Sequence, residues 1–96
     1  MGKKRKSVKP QYGDLIEVHW VDITSSSTGD PSKAVLARCI TCGVFERYDK
    51  DKNGEEMLVI SYARHDDEEL TDKGWEAYPR SVVRRVEVVK RASEYV

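Results

Sequence analysis

The pair Asn53-Gly54 lies between two apolar runs in "GVFERYDKDKNGEEMLVIS", and this arrangement constrains the fold more than any other feature. Asn and Gly both tolerate positive φ, so the pair favours a tight type I′ turn between antiparallel strands. The spacing predicts one strand over residues 34–48 and a second over 57–64, joined as a hairpin. Nowhere does the sequence show apolar residues at helical spacing for more than two turns, so the chain must bury its core with strands.

The remaining segments extend that reading. Residues 14–23, within "GDLIEVHWVDI", alternate so that Ile16, Val18 and Trp20 share one face and Glu17 and His19 the other. The apolar positions Leu15, Val21 and Ile23 on the second face suit a curved strand of a small barrel. Thr24 to Lys33, "TSSSTGDPSK", is a long connection of turn formers. In the second strand Ile40, Cys42 and Val44 fall on one face and Cys39, Thr41 and Phe45 on the other, with Gly43 expected at a bulge or bend. The acidic stretch 65–81 reads as a loop, residues 81–83 as a brief helical turn, and residues 84–91, "RRVEVVKR", as the last strand. The expected fold is all-β or mainly β: a small SH3-like barrel of four to five antiparallel strands with a short helical turn before the last one.

Ninety-six residues suffice for one domain, which buries only about 60–65% of the surface its unfolded chain exposes. That leaves little room for a deep catalytic pocket beside a core. The expected organisation is a flexible basic arm over 1–10, a single barrel domain over 11–91 and a short tail over 92–96. The formal net charge of zero hides a division between these parts. The arm carries Lys3, Lys4, Arg5, Lys6 and Lys9 and no acid; without those five the chain keeps 12 of its 17 basic residues against all 17 acidic ones. An acidic body therefore follows a basic arm.

No apolar run approaches the roughly 18 residues of a membrane span, and the basic start lacks the apolar stretch of a secretory signal. The expected location is the cytoplasm, of the host cell if the chain is virally encoded, with no membrane partner. Cys39 and Cys42 are expected there as reduced thiols.

The succession "IEVHWVD", a polar loop, "GVFERYDKDKNGEEMLVIS" and "YPRSVVRRVEVV" resembles small, mostly uncharacterised SH3-like proteins encoded by tailed phages and prophages. The likeness runs from Gly13 to Lys90. It implies the same fold and a viral setting, and no particular activity, because that group shares none.

Chemistry-bearing residues admit sharper and plainer readings. Cys39-Ile40-Thr41-Cys42-Gly43 has the spacing of a zinc knuckle, whose other ligands would be His19 and His65 or carboxylates. Residues three apart on a continuous strand point to opposite faces, so two ordinary thiols are the simpler reading. A redox pair would need Cys39 to begin a helix, and none follows. His19 with Asp22, or His65 with Asp66, has no nucleophile beside it, and Asp22 suits a turn. "HDDEE" lacks the alternating spacing of a calcium loop and reads as a solvated acidic loop.

Nothing here builds a catalytic constellation or calls for a cofactor, so a non-enzymatic binding module is expected. Its preferred partner is a protein, docked through Asp66, Asp67, Glu68 and Glu69 on the acidic body and the adjoining loops. The alternative is nucleic acid, held by Lys3, Lys4, Arg5, Lys6 and Lys9 of the arm together with Arg80, Arg84 and Arg85, with Lys90 and Arg91 nearby. Trp20, Tyr48, Tyr62, Trp75 and Tyr78 are the aromatics available for stacking.

Overall fold

The computed structural model describes residues 9–23, 29–62 and 74–95. Five strands, β1 (Leu15–Val21), β2 (Arg38–Lys50), β3 (Glu56–Ser61), β4 (Trp75–Pro79) and β5 (Val83–Lys90), form one antiparallel sheet in the order β4-β3-β2-β1-β5. Three-residue 3-10 turns at Pro31–Lys33, Arg80–Val82 and Ala92–Glu94 are the helical elements among the described residues. The turn Arg80–Val82 joins the two edge strands, as in an SH3-like barrel, and the sheet stays open between β4 and β5.

The alternation along β1 produces the core. Ile16 and Val18 are fully buried with Phe45, Leu58, Ile60 and Tyr78 around them, and Trp20, Tyr48, Val82, Val83, Val86 and Val88 close the margins. Each fully buried aliphatic side chain contributes about 1.5–3 kcal/mol relative to exposure. Trp20 also stacks on Tyr78 at 5.2 Å between ring centroids and donates its indole N–H to Thr41 Oγ1 at 3.0 Å. One aromatic thereby joins β1, β2 and β4.

Thirteen residues let β2 serve both halves of the sheet. Its first part pairs with β1 and its second with β3, the handover falling at Val44. The bulge expected at Gly43 lies further on, between Phe45 and Arg47, where Glu46 is the extra residue in the β2–β3 register. Gly43 answers a different need: a Cβ there would stand 2.6 Å from Ile60 Cδ1, so the missing side chain admits the core. The strand begins at Arg38 instead of residue 34, where pairing with Val21 at the end of β1 starts; before it, Asp30 Oδ1 accepts from Ser32 N at 3.0 Å and caps the turn Pro31–Lys33.

The β2–β3 hairpin is present, with different turn chemistry. Only Gly54 of the Asn-Gly pair has positive φ, +86°, which excludes type I′. Gly54 N donates to Asp51 O at 3.0 Å, and Asp51 Oδ1 accepts from Asn53 N at 2.8 Å and Glu55 N at 2.9 Å. A carboxylate collecting two amides favours a longer loop in which glycine alone takes the left-handed conformation.

Part of the supposed acidic loop is a strand. Residues 75–79 pair with β3, Tyr78 opposite Leu58 and Pro79 opposite Met57. A proline is tolerable there because β4 is an edge and Pro79 ends it. The helical turn and last strand each begin one residue earlier than expected, at Arg80 and Val83.

The chain ends are tied together. Pro10 is buried, and buried Asp14 accepts from Gln11 N at 2.9 Å and Arg91 Nη1 at 2.8 Å through Oδ2, and from Ala92 N at 2.8 Å through Oδ1. Burial alone would raise its pKa, but the amides of Gln11 and Ala92 and the Arg91 guanidinium outweigh it and hold the carboxyl below its ordinary value.

Candidate functional site

Four cations, Lys9, Arg80, Arg84 and Arg85, gather where β5 begins. Arg80, on the 3-10 turn, lies over the Tyr48 ring with its guanidinium carbon 4.2 Å from the centroid. Arg84 Nη1 donates to Ser81 O at 2.8 Å, which holds that side chain back along the turn. Arg85 Nη2 stands 3.0 Å from Glu87 Oε1 and remains more than half exposed. These three and Lys9 line one cleft of 240 Å³ with Pro10, Tyr48, Val83 and Val86. Among the described residues, no acid belongs to that lining.

A second cleft of 530 Å³ shares Arg84 and Arg85 and adds Arg38, with His19, Trp20, Val21, Cys39 and Ile40 around it. It too has no acid in its lining among the described residues. The bulge between His19 and Trp20 in the β1–β5 register explains the sharing, since Arg85 stands opposite His19 and Val83 opposite Trp20 with Arg84 as the extra residue. Consecutive arginines thus reach neighbouring clefts.

Comparison with protein families, curated proteins and solved structures finds no match. The chemistry of the site is therefore read from its own residues.

Of the residues expected to bind nucleic acid, Lys9, Arg80, Arg84 and Arg85 converge; Lys3, Lys4, Arg5 and Lys6 lie outside the described residues. Lys90 and Arg91 do not join them. Lys90 Nζ sits 4.6 Å over the Tyr95 ring, and Arg91 is bound to Asp14 at 2.8 Å. Arg38 was not foreseen, because its proximity to β5 depends on β1 lying between them, and only strand order supplies that.

Asp66, Asp67, Glu68 and Glu69, expected to dock a protein, lie outside the described residues, as does His65. Cys39 is half-buried opposite Trp20 and Cys42 exposed opposite Glu17, on opposite faces of an unbroken strand. The knuckle geometry, which needs a turn between the two thiols, is absent there. Asp22 uses Oδ1 to accept from Ile23 N at 2.8 Å, and His19 faces Glu17 Oε1 at 3.3 Å and Glu87 Oε2 at 3.6 Å instead.

At the other mouth of the sheet, Tyr78 donates its hydroxyl to Glu76 Oε2 at 2.7 Å. Burial, with Glu76 adding to it against an opposing bond to Thr41, pushes its pKa up to about 12. A neutral phenol there is a structural donor, not an acid for chemistry at pH 7.

Proposed function

We propose that the protein is a non-enzymatic module that holds the phosphate backbone of nucleic acid along the edge formed by the turn Arg80–Val82 and the start of β5. The observation carrying this reading is that two adjoining clefts take five cations, Lys9, Arg38, Arg80, Arg84 and Arg85, and, among the described residues, no acid into their linings. Guanidinium groups offer five N–H donors each, so the single contacts made by Arg84 and Arg85 within the fold leave most of the fork for phosphate oxygens. Tyr48 is covered by Arg80 and half-buried, which favours backbone contact over base stacking on that ring. Lys9 carries the path towards the basic residues that precede it in the chain.

This reading ranks above docking on a protein through the hairpin acids, because Asp49 and Asp51 are engaged in the fold. Asp49 accepts from Lys50 N and from Arg47 Nε at 2.8 Å each, and Asp51 closes the hairpin. Fluorescence anisotropy with labelled single-stranded and duplex oligonucleotides, titrated with salt, tests it. Log affinity is expected to fall linearly with log salt, at a slope of about −0.7 per phosphate contact for single strands and −0.9 for duplex. Absence of binding at 50 mM salt with every oligonucleotide sinks the reading and returns the acidic body as the surface to examine.

A further inference from the structure

We propose that Glu17, His19 and Glu87 form a binding site for one divalent transition-metal ion on the outer face of β1 and β5. Among the described residues they are the single group of three such side chains whose donor atoms all lie within 4.8 Å of one another. Glu17 and His19 are two apart on β1 and so share its face, and Glu87 stands directly opposite Glu17 in the β1–β5 register. Two carboxylates in directly opposed positions repel, and Arg85 offsets this on the Oε1 side of Glu87 only. The atom between the two carboxylates is His19 Nε2, 3.3 Å from Glu17 Oε1 and 3.6 Å from Glu87 Oε2. One imidazole nitrogen and two carboxylate oxygens within 4.8 Å of one another suit a divalent ion that takes mixed nitrogen and oxygen ligands, such as Zn²⁺, Co²⁺ or Mn²⁺.

The surroundings supply what a metal site needs beyond its ligands. Arg85 Nη2 holds Glu87 Oε1 at 3.0 Å and leaves Oε2 turned to His19, so the carboxylate is oriented by an outer partner. All three ligands belong to paired strands, which are more rigid than loops. Their side chains are 32%, 22% and 14% exposed, in the order Glu17, His19, Glu87, so the face open to solvent keeps room for water or an exogenous oxygen. His19 also lines the 530 Å³ cleft, placing that face beside Arg84 and Arg85.

The inference is independent of nucleic-acid binding and is tested without it. Chelator-treated full chain is titrated with Co²⁺, read by its visible bands, and with Zn²⁺ by calorimetry. One equivalent is expected to bind, with no near-ultraviolet thiolate band. His19→Ala and Glu87→Gln are each expected to weaken binding more than about tenfold, at least the loss that removal of an outer-shell partner produces. The double variant Cys39→Ala/Cys42→Ala is expected to bind as the parent does. Glu87→Gln preserves size, and circular dichroism confirms that each variant is folded. With Mn²⁺, broadening is expected first at the His19 ring protons. No binding by the parent chain, in which case the three residues are an ion-pair cluster only, overturns the inference. So does binding that survives His19→Ala and vanishes in the cysteine double variant.

Discussion

The barrel carries dense charge in two places, the hairpin over residues 49–56 and the edge running from Arg80 to Arg85, and the fold treats them differently. In the hairpin the acids serve the backbone. Asp51 gathers two amides that would otherwise face water, and Asp49 is held below its ordinary pKa by the Lys50 amide and then by the Arg47 guanidinium. On the basic edge the side chains are positioned and mostly not neutralised by the described residues: Arg80 rests on a ring, Arg84 on a carbonyl, and Arg85 meets the Glu87 carboxylate. Dense charge therefore has a different meaning in the two places. A charge whose partners are backbone amides of its own turn stabilises that turn, whereas cations lined up along a cleft without acids attract a ligand.

The largest expected effect tests the basic edge. Arg84→Gln with Arg85→Gln removes two phosphate contacts, so the salt slope on duplex falls by about 1.8 and affinity at 50 mM salt drops about 100-fold. Thermal stability should change little, because both side chains are exposed. An unchanged slope breaks the comparison, since the two regions would then be equally inert.

Asp14 is the extreme of the structural acid, and its loss should be the largest effect on stability. Asp14→Asn keeps the shape and removes the charge that Arg91 and two amides engage, a cost of about 2 kcal/mol at pH 7 in urea unfolding. The carboxyl is held below its ordinary pKa, so its contribution is complete above that ordinary value and disappears as pH falls through the lower folded one. The parent should lose stability on acidification below about pH 4, and the variant should show a flatter profile. Parallel acid profiles would mean that other carboxylates set the acid limit.

Asp51→Ala should cost about 1 kcal/mol, as loss of a helix N-cap does, since it too deprives two amides of one acceptor. Nucleic-acid affinity should stay within twofold of the parent. A rise of tenfold instead would show that the hairpin acids act on the ligand through their field, and the contrast between the two regions would have to be redrawn.

Why some of this was legible in the sequence follows from the range of the interactions. Period-two alternation placed Ile16, Val18 and Trp20 on the inner face because it is a property of one strand. The turn signal found the β2–β3 hairpin but misjudged its type, since the Asp51 side chain competes for the loop amides. β4 was missed because Trp75 and Tyr78, though strand formers, sit in a run of only five residues that also holds Glu76, Ala77 and Pro79 and follows an acidic stretch; pairing with β3 makes them a strand. Arg80, Arg84 and Arg85 were visible as a cluster along the chain. Arg38 and Glu87 were not, because each reaches its neighbours only through the strand order β2-β1-β5.

The smallest expected effect lies at Tyr78, which belongs to neither charged region and shows how the core tolerates an acid. Its hydroxyl donates to Glu76 at 2.7 Å, so Glu76 is matched by a neutral donor and needs no cation. Tyr78→Phe removes that donor while preserving the ring against Trp20, and should cost under about 1 kcal/mol at pH 8. The phenol's pKa is raised from 10.0 to about 12, so its neutral form favours the fold fully below pH 10, and this advantage shrinks as pH rises towards 12. The stability gap between parent and Tyr78→Phe should accordingly narrow between pH 8 and pH 11 in urea midpoints. A gap that stays constant over that span would mean that the phenol is not held neutral by burial and Glu76, and that the core accommodates its charge as readily as the surface does.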